Sequence, residues 1–78
     1  MEEQSKNQLR INIPDNLKNG VYSNIANINV SKSEVLFDFM FLTPNEANLV
    51  SRVIVSMEHA QSIERALAKL LAEIEKKK

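Results

Sequence analysis

One stretch constrains the fold more than any other. Val35 to Leu42 reads Val-Leu-Phe-Asp-Phe-Met-Phe-Leu, apolar at every position but Asp38. As a strand it sends Val35, Phe37, Phe39 and Phe41 to one side and Leu36, Asp38, Met40 and Leu42 to the other. A strand apolar on both sides is the pattern of one buried twice. Ser31-Lys32-Ser33-Glu34 makes a polar turn before it. Thr43-Pro44-Asn45-Glu46 makes one after it, with proline where a type I turn favours it.

The neighbours of this strand are strands too. Val21 to Val30 places Ala26, Ile28 and Val30 on one face and Ile25, Asn27 and Asn29 on the other. Leu49 to Val55 is rich in valine and isoleucine. Upstream, Leu9, Ile11 and Ile13 alternate with Arg10 and Asn12 and predict one more strand, ended by Pro14. Pro14-Asp15-Asn16 and Asn19-Gly20 carry turn chemistry, with Gly20 suited to a left-handed backbone position. Residues 1–7 read as a disordered tail, and 8–78 as a single domain.

Tight hairpins fix a register. It sets Val30 opposite Val35, Ile28 opposite Phe37 and Ala26 opposite Phe39. Across the other turn it sets Phe37 opposite Val53, Phe39 opposite Ser51 and Phe41 opposite Leu49. A slip of one residue would scatter the apolar set across both faces. In this register the phenylalanines, Ala26, Ile28, Val30, Val35, Leu49, Val53 and Val55 share one face.

After the strands comes one helix. Ser56 is a good N-cap, and Glu58 puts a carboxylate at the positive end of the helix dipole. Ala60, Ile63, Leu67, Leu70, Leu71 and Ile74 recur at helical spacing and form one apolar stripe. Glu64, Arg65, Lys69, Glu73 and Lys76 lie mostly off it, and Lys76-Lys77-Lys78 brings positive charge to the negative end. The expected fold class is therefore α+β: an antiparallel sheet of about four strands, β-β-β-β-α, with the C-terminal amphipathic helix packed on the phenylalanine face.

One helix covers one face, which leaves the other. That second face carries Ile25, Leu36, Met40, Leu42, Val50 and Ile54. Each would contribute roughly 1.5–3 kcal/mol if fully buried. Together in water they form a patch larger than monomers usually expose. Asp38 and Arg52 fall opposite each other within it, with Asn27 beside Asp38 in the neighbouring strand. A cross-strand ion pair is the simplest role for the two charges. A polar island that fixes how two surfaces dock is the functional one. The candidate interface is Ile25, Asn27, Leu36, Asp38, Met40, Val50, Arg52 and Ile54.

Chain length argues the same way. Seventy-eight residues suffice for one domain with a modest core. Domains this small often recruit a disulfide, a metal or a partner subunit. The chain has no cysteine and one histidine, which leaves the partner. A homo-oligomer, most simply a symmetric dimer, is expected; the alternative is that the tail and the 14–20 loop fold across the second face.

Other function classes lack signals. Ten basic and ten acidic side chains give no net charge to draw nucleic acid or anionic lipid. The pattern of several strands and one helix is not that of a ribbon-helix-helix protein. No apolar run is long enough for a membrane span, and the polar N-terminus is unlike a secretory signal, which places the protein in the cytoplasm. No glycine-rich phosphate loop or metal-protease motif occurs, and Asp15, Asp38 and Glu46 lie in different elements. His59 sits alone in the first turn of the helix, and Tyr22 anchors the start of a strand. No catalytic residue, metal or cofactor is expected, and the protein reads as non-enzymatic.

Ordered blocks of the sequence carry a resemblance. They are Gly20-Val21-Tyr22-Ser23-Asn24, Ser31-x-Ser33-Glu34, Leu36-Phe37-Asp38-Phe39, Pro44, Ser51-Arg52-Val53-Ile54 and Ser56-Met57-Glu58-His59-Ala60. Over about residues 9–75 the chain resembles a family of small, mostly bacterial proteins, domain-of-unknown-function family three-four-six-seven. Met57 departs from it, since the family usually has proline there, a convenience at the first helical position. The resemblance implies no activity. It singles out Asn24, Asp38, Arg52 and His59, none of which the core requires.

The architecture is also similar, at the level of fold alone, to SecB-like export chaperones. The first functional expectation is a homo-oligomeric protein-interaction module that uses the second sheet face. The alternative is a SecB-like or antitoxin-like binder that captures an extended polypeptide, and a small nucleic-acid-associated regulator comes behind it.

Overall fold

The doubly apolar stretch is the central strand of a three-stranded antiparallel meander in the computed structural model, which describes residues 9–76. Strand β1 is Ile25–Val30, β2 is Glu34–Leu42 and β3 is Ala47–Ser56, in the spatial order β1-β2-β3. Helix α1 is Met57–Lys76. The chain is α+β, with an antiparallel sheet and one C-terminal helix. The tail read at residues 1–7 lies outside the described residues, as do Lys77 and Lys78.

Both turns close as their residues suggest. The Ser31 amide donates to the Glu34 carbonyl at 2.9 Å, and its hydroxyl donates to the same oxygen at 3.2 Å. The Thr43 amide and hydroxyl do likewise toward the Glu46 carbonyl, at 2.9 and 3.2 Å. The β1–β2 register is the expected one, with Val30 opposite Val35, Ile28 opposite Phe37 and Ala26 opposite Phe39. Across β2 and β3, Phe37 meets Val53, Asp38 meets Arg52 and Phe39 meets Ser51.

Beyond Phe39 the register shifts. A bulge lies between Phe39 and Met40, so Met40 faces Leu49 and Phe41 faces Asn48, not Leu49 as the tight hairpin predicts. Val50 is the extra residue and has no partner in the ladder. Because paired residues share a face, Leu49 moves to the side of Met40 and Asp38.

The sheet has three strands rather than four. Leu9–Ile13 joins no ladder, and β1 begins at Ile25 rather than Val21. Alternation says which side chains would share a face; a strand also needs a free edge within reach, and residues 9–13 pair with neither edge. Between them and β1 lie a single 3-10 turn at Asp15–Leu17 and Gly20. Gly20 has φ 71°, the left-handed conformation its place after Asn19 suggests.

The helix starts where expected but goes elsewhere. The Ser56 hydroxyl accepts from the His59 amide at 3.1 Å, a helix cap. Ser56 is also the last residue of β3, so no residue lies between strand and helix. Folding a helix back over its own sheet takes a chain reversal, usually of about two to six residues. The chain makes none. The Met57 amide donates to the Ser33 carbonyl at 3.1 Å, fixing the first turn to the end of the sheet. No helical residue is buried, and Leu67 stays 53 % exposed. The expected packing of the helix on the phenylalanine face is therefore not found within the chain.

What remains of a core is small. Among the described residues only Val35 and Asp38, at 4 % and 8 % exposure, are buried. The radius of gyration is 16.0 Å, against about 11–12 Å for a compact domain of this length.

Candidate functional site

Pleating puts the candidate residues on one side of the sheet. Ile25 pairs with Met40, Asn27 with Asp38, Leu36 with Ile54 and Asp38 with Arg52, so all seven of these share the face opposite the phenylalanines. Val50, the eighth, stands at the bulge on the edge of the group. Asn29, Leu42 and Leu49 belong to the face as well. A tight hairpin puts Leu49 on the other side, because a bulge leaves no mark in a run such as Leu-Val-Ser-Arg-Val that alternates acceptably in either register.

Asp38 and Arg52 form the polar centre. Arg52 Nε donates to Asp38 Oδ1 at 2.6 Å, and one terminal nitrogen donates to Oδ2 at 3.0 Å. This two-pronged geometry matches the planar guanidinium to the carboxylate. Asp38 is shielded by its position on the central strand, flanked by both neighbours. The side chain of Arg52, on an edge strand, is 56 % exposed. The hydrogen bond from Arg52 holds the Asp38 carboxyl below its ordinary pKa; burial opposes this, and the guanidinium charge adds a lesser lowering. Asp38 raises the pKa of Arg52 in turn, again mainly through the hydrogen bond. The pair is thus fixed as two charges. A carboxylate held below its usual range is a poor general base near neutral pH. What the pair can do is orient a surface placed against it, because the guanidinium keeps donors turned to solvent.

Apolar side chains surround this centre. Ile54 is 59 % exposed, and Ile25, Leu42 and Leu49 are exposed as well. Asn29, Leu36 and Ile54, with the Ser31–Glu34 turn, line a depression of about 270 Å³ at one end.

The other two residues singled out by the resemblance have local structural roles. The Asn24 side chain stands in for a strand residue: its Nδ2 donates to the Leu42 carbonyl at 3.1 Å and its Oδ1 accepts from the Leu42 amide at 2.7 Å. Beside it, the Asn24 amide and the Ser23 hydroxyl donate to the Met40 carbonyl at 3.1 and 3.0 Å. The pairing of β2 with the β1 side is so carried beyond the bulge. His59 contributes its backbone amide to the Ser56 cap.

The phenylalanine face, expected to be covered by the helix, is a second open apolar surface. Phe37 and Phe39 stack at 5.9 Å between ring centroids, and Tyr22 meets Phe41 edge-on at 6.0 Å. Ile28, Val30 and Val53 on this side are exposed. The signal for this was present: a cap residue that directly follows Val55 leaves no loop.

A family model described as "Protein of unknown function (DUF3467)" matches residues 1–78. No curated protein and no solved structure matches the chain. Among the described residues, no helix is long and apolar enough to cross a membrane.

Proposed function

The chain belongs to the DUF3467 family, and from that premise we propose that it is a non-enzymatic protein-interaction module that works as a homo-oligomer, with the Asp38 face of its sheet packed on a second copy. One observation carries this reading: among the described residues, only Val35 and Asp38 are withdrawn from water. A sheet apolar on both sides and a helix with an apolar stripe would not persist in that state alone, since hydrophobic burial is the main favourable term in folding. Another surface must complete the core.

A second copy is the simplest source of that surface. A two-fold axis through the Asp38 face would bring Leu36, Met40 and Ile54 of both chains together, each meeting its like or its neighbour. The ion pair would enter already neutralised in sum and hydrogen-bonded, which lowers the cost of removing it from water. The test is sedimentation at micromolar concentration with circular dichroism. Assembly without a monomer, together with the strand and helix content described above, is expected; a folded, clean monomer overturns the proposal.

A further inference from the structure

The opposite side of the sheet carries a second partnership, resting on the reading that the chain associates with itself. We propose that helix α1 of one chain packs its apolar stripe across the phenylalanine face of a second chain, which returns its own helix in the same way.

Three features of the chain meet in this arrangement. The first is continuity: β3 ends at Ser56 and α1 begins at Met57, so the helix leaves the sheet without a reversing loop. The Met57 to Ser33 hydrogen bond and the Ser56 cap both hold that exit in place. The second is match of shape. Ile63, Leu67, Leu70, Leu71 and Ile74 form one stripe about 100° wide, the width of a face that lies on a sheet. Twenty residues give a rod of about 30 Å, and the nine or ten residues of β2 and β3 make a surface of about the same length. The third is that each surface lacks only the other. The stripe is exposed along its length, and the phenylalanine face, with Ile28, Val30, Phe41 and Val53 open, has no helix on it. Beside it, Tyr22 and Ser23 wall an open hollow of about 540 Å³ floored by Ala26 and Phe39.

The area suits a second copy as occupant. Covering both stripes and both faces would remove on the order of 1,500–2,000 Å² from water, the size of a stable specific interface. Exchange of an identical element needs no new surface and little new chemistry, because each chain already has both halves of the contact. The two partnerships use opposite sides of the sheet and do not compete. A chain that holds both belongs to an even-numbered assembly, and severing one contact leaves pairs.

The natural chain has no cysteine, so single thiols can be placed freely. The variants Ile28→Cys and Leu67→Cys are unfolded together, refolded as an equal mixture and treated with a short bis-maleimide. The expected result is a dimer-sized product joining residue 28 of one chain to residue 67 of the other, with each variant alone giving none. The double variant, treated in the same way, is expected to give dimer-sized product. Monomer-sized internal linkage would mean that the helix folds back on its own sheet. Linkage between two Leu67→Cys chains alone would mean that helices pair with each other. Either overturns the exchange. Should the thiols disturb folding, the wild-type chain serves instead. An isotopically half-labelled sample is expected to show interchain nuclear Overhauser contacts from the Leu67 and Leu71 methyls to the Phe37 and Phe39 rings, and their absence overturns the proposal. An assembly that sediments as an oligomer while failing these tests refutes the exchange but leaves self-association standing, whereas a monomer refutes both.

Discussion

The sheet and the helix of this protein reach the same stage by different means. In the sheet, backbone ladders, two closed turns and the Asp38–Arg52 pair set the register, and among the described residues only Val35 and Asp38 of β2 are buried. In the helix, a cap and the internal hydrogen bonds suffice, and no described residue is buried. Local rules therefore specify both elements but do not stabilise either. An isolated helix of this length is marginal in water, and a small sheet needs a packed apolar face to persist. The difference teaches where the missing energy has to enter: at the two sheet faces and along one stripe of the helix, the three apolar surfaces left open.

Severing the helix contact is the strongest way to break the comparison. Replacing Leu67 and Leu70 together by lysine puts two charges where the stripe would meet a partner. Burying an unpaired charge costs several kcal/mol, so the helix contact is expected to weaken by at least about a thousandfold, with loss of both the helix signal and the full assembly, which falls to pairs held by the Asp38 face. If both persist, the stripe is not an interface. The next effect is that of Ile54→Lys, on the opposite side of the sheet. It removes roughly 1.5–3 kcal/mol of apolar burial at each such contact. The assembly is expected to fall to pairs while the Ile28–Leu67 crosslink survives. Loss of that crosslink too would show that the two faces are not independent.

Much of this was legible in the sequence, for physical reasons that differ by region. The doubly apolar β2, its two turns and the alternation of Ala26, Ile28 and Val30 fix a register, and the structure keeps it along all of β1 and, in β3, from Ser51 to Ser56. The polar centre at Asp38 and Arg52 followed from that register alone. The bulge was not legible, because Leu49 and Val50 are both apolar and either can face Met40. The Leu9–Ile13 segment has the period of a strand but pairs with neither edge of the sheet, which alternation does not report. The course of the helix departs from expectation for another reason. An amphipathic stripe shows that a helix must lie on something, but not whether that surface belongs to its own chain. The direct succession of Val55, the cap Ser56 and Met57 argues instead for a helix that leaves.

Within the single chain, smaller effects separate the part that holds itself from the part that does not. Val35→Ala removes the equivalent of two methylene groups from the one apolar side chain buried among the described residues and is expected to cost about 2 kcal/mol. Urea unfolding should show this as a lower midpoint; no change would mean that β2 is not the centre of the fold. Asn24→Ala deletes the side-chain pairing with Leu42. It is expected to cost about 1 kcal/mol, since the two hydrogen bonds lie at an exposed end, and to speed amide exchange of Leu42 with little effect at Phe37.

The mildest effect is expected from acid, and it bears on the Asp38 face. Because Arg52 lowers the Asp38 pKa in the folded state below 3.8, the folded chain releases this proton more readily than the unfolded one. The resulting stability is present in full above the unfolded value and is lost as pH falls through the folded one. The urea midpoint should therefore decline below about pH 4, and Asp38→Asn should flatten that decline. The size of the decline reports on the surroundings of the pair. A pair left facing water is screened by salt, so adding salt should shrink the difference between wild type and Asp38→Asn. A pair enclosed by a second chain is screened much less, and the difference should hold at high ionic strength. Persistence of the difference in salt would place Asp38 and Arg52 inside an interface, and its disappearance would leave them on an open face, contrary to the proposed packing of that side of the sheet.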